Sequence, residues 1–111
     1  MEAFHIATEL QGGTLVVAVE GELDMSTAPE LDRALSAALD GQTPVVVDLT
    51  GCSFVDSSAL NALVKANNRL NGRGPLPIVG PQPHVLKVLQ MTHLEDVFEV
   101  RPTGAEVTDA R

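Results

Sequence analysis

Cysteine is nearly missing from this sequence. Cys52 is the only one, which excludes an internal disulfide and any multi-cysteine metal site and makes a reducing cytoplasm the expected compartment. Long hydrophobic runs are missing too. The longest, "LVVAV" at 15–19 and "VVV" at 45–47, are strand-sized and far below a membrane span. The opening "MEAFHIATEL" has no basic patch ahead of an apolar core, so no secretory signal is expected. Tryptophan and tyrosine are absent, which makes calorimetry a better stability readout than intrinsic fluorescence. Bases are scarce: 7 Lys and Arg stand against 15 acids, giving a net charge of −8, and Lys65 and Lys87 are the only lysines. That balance repels phosphate backbones and anionic lipid heads, so direct binding to nucleic acid or membrane is not expected. A basic protein partner is compatible with it.

What is present reads as one domain over residues 1–111, with 44% hydrophobic content in the globular range. Residues 4–10 alternate as a strand, "QGG" at 11–13 turns the chain, and "TLVVAVEGEL" returns as a hairpin partner. Thr27 and Glu30 then have the spacing of a capping box, and Pro29 sits in the first helical turn. Leu31, Ala34, Leu35, Ala38 and Leu39 make one apolar stripe that Gly41 should end. "PVVVDL" at 44–49 predicts a buried central strand.

A second helix starts near Ser57, carries Leu60, Leu63, Val64, Asn67 and Leu70, and stops at Gly72 and Gly74. "LPIVG" at 76–80 predicts a strand that Pro77 would confine to an edge or an irregular position. "HVLKVLQM" at 84–91 reads as a third helix and "VFEV" at 97–100 as a last strand, while 103–111 is expected to be a flexible tail. The order β-β-α-β-α-β-α-β implies an α/β fold, a mixed sheet flanked by about three helices.

Few chemistries fit. His5, His84 and His93 share no ligand spacing with one another or with Cys52, so no metal is expected and each histidine reads as a surface or edge residue. No glycine-rich phosphate loop occurs, and no cofactor is expected. A hydrolase built on Ser57 or Ser58, with Asp24 or Asp48 orienting a histidine, lacks the G-x-S-x-G elbow and a loop long enough to enclose a substrate. The chain is therefore not expected to be an enzyme. What stands out is "FVDSSALNAL" at 54–63, where a strand gives way to a helix at Asp56, Ser57 and Ser58. Asp56 is sufficient as N-cap, so two more hydroxyls exceed what capping needs. Either they belong to an ordinary helix start or one of them is meant to be reached by another protein.

"GELDMSTAPEL" at 21–31, succeeded by "VVVDLTGCSFVDSSAL" at 45–60, resembles the STAS domain of bacterial anti-sigma factor antagonists, and the resemblance extends through "PLPIVGPQPHVLKVLQMTHLEDVFEV". It implies a mixed sheet flanked by helices and a serine phosphorylated by an anti-sigma factor that is also a kinase. That serine carries over to Ser57, with Asp24, Asp56, Ser58 and Ala59 as its environment. On the same resemblance, the unphosphorylated form would bind the anti-sigma factor and release a sigma factor, and a serine phosphatase would reset the switch. The alternative it leaves is a permanent STAS subunit of a membrane transport complex, without phosphorylation. The chain departs from the family pattern at Ala59 and Asn61, where glycines are usual and would let a partner backbone approach more closely.

Overall fold

The computed structural model describes residues 3–102. Two aliphatic strands set its architecture. β2 (Thr14–Leu23) and β3 (Val45–Val55) run parallel, with Val16, Val17 and Ala18 opposite Val46, Val47 and Asp48. β1 (His5–Gln11) folds back antiparallel on β2 through Gly12 and Gly13. Both glycines have positive φ, 55° and 84°, as the twist of a two-residue hairpin turn requires. β4 (Pro77–Val79) and β5 (Glu99–Arg101) extend the sheet in parallel, giving five strands in the order β1-β2-β3-β4-β5.

Three helices bridge the parallel steps: α1 (Ala28–Leu39), α2 (Ser57–Arg69) and α3 (Pro83–Met91). Because the strands lie in chain order, right-handed crossovers put all three on one face of the sheet. Leu31 and Leu35 of α1, Leu60 and Leu63 of α2, and Val85 and Leu89 of α3 share one core with Val17, Val19, Val47, Leu49 and Ile78. The element order and the mixed sheet are those the sequence predicts. The expected tail, 103–111, lies outside the described residues.

Several local expectations are corrected. "PVVVDL" and the strand end before Asp56 are one continuous strand, β3, from Val45 to Val55. Its register against β2 slips twice, between Asp48 and Gly51 and again between Cys52 and Phe54. Each slip inserts an extra residue into β3, a bulge that breaks the hydrophobic alternation. Pro77 is not at an edge, since β4 lies between β3 and β5. It is the first residue of its strand, where a missing N–H is tolerated.

The capping box at α1 does not form: Thr27 makes no side-chain cap bond. Its hydroxyl donates backward to the Glu22 carbonyl at 2.8 Å and accepts from the Asp24 N–H at 2.8 Å. Gly41 does not stop α1 by a left-handed turn; the C-cap is Asp40, in right-handed geometry. At the end of α2 that turn is made by Asn71 (φ 49°) and then Gly72 (φ 92°). The last strand begins two residues late because a 3-10 turn at Leu94–Asp96 precedes it.

Gly21 is a glycine the fold cannot spare. Its φ is 98°, and a Cβ there would lie 3.1 Å from both the Ala3 carbonyl oxygen and the Phe4 Cα. Gly21→Ala is therefore expected to destabilise the chain by about 1–3 kcal/mol. Calorimetry should show Tm falling by roughly 4–8 °C per kcal/mol. Gly41→Ala is the control: the nearest atom to the new Cβ is the Thr43 N at 4.0 Å, so Tm should hold or rise slightly.

Candidate functional site

At Asp56 the chain changes from strand to helix. The residue is extended (φ −121°, ψ −172°), and its carboxylate accepts from the N–H groups of Ser58 at 2.9 Å and Ala59 at 3.2 Å. Two of the donors that a helix start leaves unpaired are thereby satisfied. The Asp56 N–H in turn donates to the Leu23 carbonyl at 3.1 Å. Leu23 lies opposite Val55 in the parallel register, so Asp24 and Asp56 come directly after paired residues on neighbouring strands. Both lie at the carboxyl edge of the sheet, where open α/β folds present their binding surfaces.

The two serines differ in access. Ser57, the first residue of α2, is exposed, whereas Ser58 is half-buried. Ala59 is wholly buried, with 0% of its surface exposed. Its methyl group belongs to the hydrophobic core, so it bears on how the helix packs. Asn61 is the departure from the family pattern that faces outward.

Asp24 is held by its own loop. Its carboxylate accepts from the Ser26 hydroxyl at 2.7 Å and the Ser26 N–H at 2.9 Å, and from the Thr27 N–H at 3.2 Å, with the Thr27 hydroxyl also at 3.2 Å. The Ser26 hydroxyl, more than any other group, holds this carboxyl below the usual aspartate range; partial desolvation opposes it, and the two N–H groups and Thr27 add to it. Asp24 therefore stands at the site as a fixed anion, and its carboxylate makes no hydrogen bond to Ser57.

Between α1 and α2 runs an open groove of about 370 Å³, lined by Met25, Ala28, Pro29, Asp32, Ser58, Asn61, Ala62 and Lys65. An ion pair from Lys65 to Asp32, 3.2 Å long and exposed, crosses it and contributes at most about 1 kcal/mol. Met25 leaves 77% of its surface in solvent and Phe54 leaves 43%, so two large apolar side chains lie near the site uncovered. The sequence reading missed both, although a methionine in a polar loop and a phenylalanine before the capping acid were visible signals. His84 is exposed as expected, but it also bonds the Ser53 carbonyl. Among the described residues, no group of three or more His, Cys, Asp or Glu could hold a metal ion, and no helix is long and apolar enough to cross a membrane.

A family model described as the STAS domain matches residues 5–108. The chain belongs to the STAS domain family. Among curated STAS relatives, it is similar to an anti-sigma-B factor antagonist of Staphylococcus aureus, 33% identical over 105 residues, covering 93% of this chain and 96% of the relative. An anti-sigma-B factor antagonist of Listeria monocytogenes is 31% identical over 91 residues, covering 80% of each chain. The crystal structure of an anti-sigma factor antagonist from Mycobacterium paratuberculosis superposes with a TM-score of 0.84 at 30% identity, covering 92% of this chain and 88% of the other. The resemblance carried by the "GELD" and "DSS" segments thus extends to the whole STAS fold.

Two outcomes test the geometry. Asp56→Ala should destabilise the domain by about 1 kcal/mol through loss of the cap, with Asp56→Asn retaining most of it in a calorimetric comparison. For Asp24, the folded-state pKa is lowered, so its contribution is present above the unfolded value of about 3.9 and lost as pH falls through the folded one. A carbon-detected NMR titration should put the Asp24 midpoint below about 3.9, and the Ser26 and Thr27 amides should lose protection in the same interval.

Proposed function

We propose that this STAS domain is a cytoplasmic anti-sigma factor antagonist. Unphosphorylated, it binds an anti-sigma factor that is also a serine kinase and so releases a sigma factor; phosphorylation of Ser57 ends that binding, and a serine phosphatase restores it. The reading is supported by the similarity to anti-sigma factor antagonists of three organisms. The observation that carries it to Ser57 is local. Asp56 alone fills the cap, which leaves the Ser57 hydroxyl exposed and without a hydrogen bond to any described residue.

The energetics suit a switch. A phosphate adds about −1.5 to −2 charges. At the helix start it would find favourable dipoles, so modification need not unfold the domain. A partner carboxylate about 6 Å away would be repelled by roughly 1 kcal/mol under water-like screening and by several kcal/mol once desolvated. Losing about 3 kcal/mol weakens binding more than a hundredfold.

After incubation with the partner kinase and ATP, peptide mapping should find phosphate on Ser57; phosphate on Ser58 alone would contradict the assignment. Ser57→Asp should abolish partner binding while melting within about 1 kcal/mol of wild type, because helix-dipole gain and repulsion from Asp56 nearly cancel. Ser57→Ala should keep most of the affinity and block modification. An Asp variant that stays folded and binds normally would reduce Ser57 to an ordinary helix residue.

A further inference from the structure

β3 outruns its neighbour. β4 pairs with it only at Val47 and Asp48, so from Leu49 to Val55 the strand has β2 on one side and no strand on the other. Backbone carbonyls on that open side have no ladder partner. Two of them are met by side chains from the start of α3. Gln82 Nε2 donates to the Thr50 carbonyl at 2.9 Å, and His84 Nε2 bonds the Ser53 carbonyl. These carbonyls fall at the two bulges, the first between Asp48 and Gly51 and the second between Cys52 and Phe54. Bulges bend a strand and re-aim the residues beyond them. Three residues beyond Ser53 stands Asp56, and then Ser57.

We propose that Gln82 and His84 are positioning residues that latch the bulged end of β3 and thereby set where Asp56 presents Ser57. On the β2 side this stretch is held by the Leu23 carbonyl through the Asp56 N–H. On the other side the latch is its counterpart. Without it, the Thr50 and Ser53 carbonyls lose the side chains that meet them at the two bulges, and the acceptor shifts with the strand end. A displacement of about 1 Å at a reacting or docking group is enough to matter. The inference rests on Ser57 being the switch residue, but the latch itself can be tested without a partner.

The test uses the full chain as wild type, His84→Ala, the Gln82→Ala/His84→Ala double variant, and His84→Gln, which restores a donor. Hydrogen exchange of the Phe54–Ser57 amides is measured in the chain alone, together with calorimetry. Each variant is then titrated with the anti-sigma factor that binds wild type. The double variant should melt close to wild type, yet exchange at Phe54–Ser57 should quicken by roughly tenfold and affinity should fall by about the same factor. His84→Gln should recover most of both. Unchanged exchange at Phe54–Ser57 in the double variant, or His84→Gln no better than His84→Ala, would overturn the latch and leave these side chains as mere edge covers. If no anti-sigma factor binds wild type, the functional reading fails, and the exchange result decides the latch on its own.

Discussion

The parallel register of β2 against β3, closed by the hydrogen bond from the Asp56 N–H to the Leu23 carbonyl, is the constraint on which the site depends. Leu23 and Val55 are both buried, so the hydrophobic core fixes their relative height before any polar group is considered. One residue beyond each, the chain emerges as an aspartate. A one-residue slip of β3 would turn Val55 outward and drive Asp56 into the apolar layer, at a cost no local hydrogen bond could offset. Core packing therefore dictates where the acidic edge falls.

Core and surface alternate within a few residues of one another. Ala59 and Leu60 are buried, while Ser57 and Asn61 are exposed on the same helix. A change at Ala59 alters how α2 sits on the sheet, and a change at Asn61 alters only the exposed face. The Lys65–Asp32 and Arg69–Asp40 pairs are exposed and contribute little to stability, and only the first lines the groove, where it sets the charge more than the shape.

The helices were legible because their apolar stripes keep the helical period. Leu31, Leu35, Ala38 and Leu39 of α1 are buried as read. In contrast, α2 buries Leu60 and Leu63 with three alanines, Ala59, Ala62 and Ala66, and leaves Val64 and Asn67 half-buried. Asp56 was legible as a cap because a strand ran into an acid and then into that period. That "PVVVDL" and the strand end before Asp56 are one strand was not legible, since two bulges between them destroy the alternation by which strands are read. Thr27 had the right spacing for a capping box, but its hydroxyl found better partners in Glu22 and Asp24, and spacing alone cannot report that competition. Pro77 pointed to an edge or an irregular position, and which strand it would stand in could not be read locally because pairing partners are a tertiary fact. Gln82 and His84 gave no local signal, since their acceptors lie 32 and 31 residues away in the chain.

The loop from Asp24 to Thr27 closes upon itself. Asp24 gathers Ser26 and Thr27, and Thr27 ties back to Glu22 and to the Asp24 N–H. A protein docking here, as proposed, would meet a rim whose backbone has already surrendered its freedom. Ordering such a loop on contact would otherwise cost about 0.5–1.5 kcal/mol for each immobilised side chain. Here that entropy is lost when the chain folds, so encounter and tight fit can succeed one another without a waiting step. Only Met25, left in solvent within this rigid frame, still has rotamers to give up. Its three flexible bonds would let this surface adapt to a partner's shape while the backbone around it keeps its form.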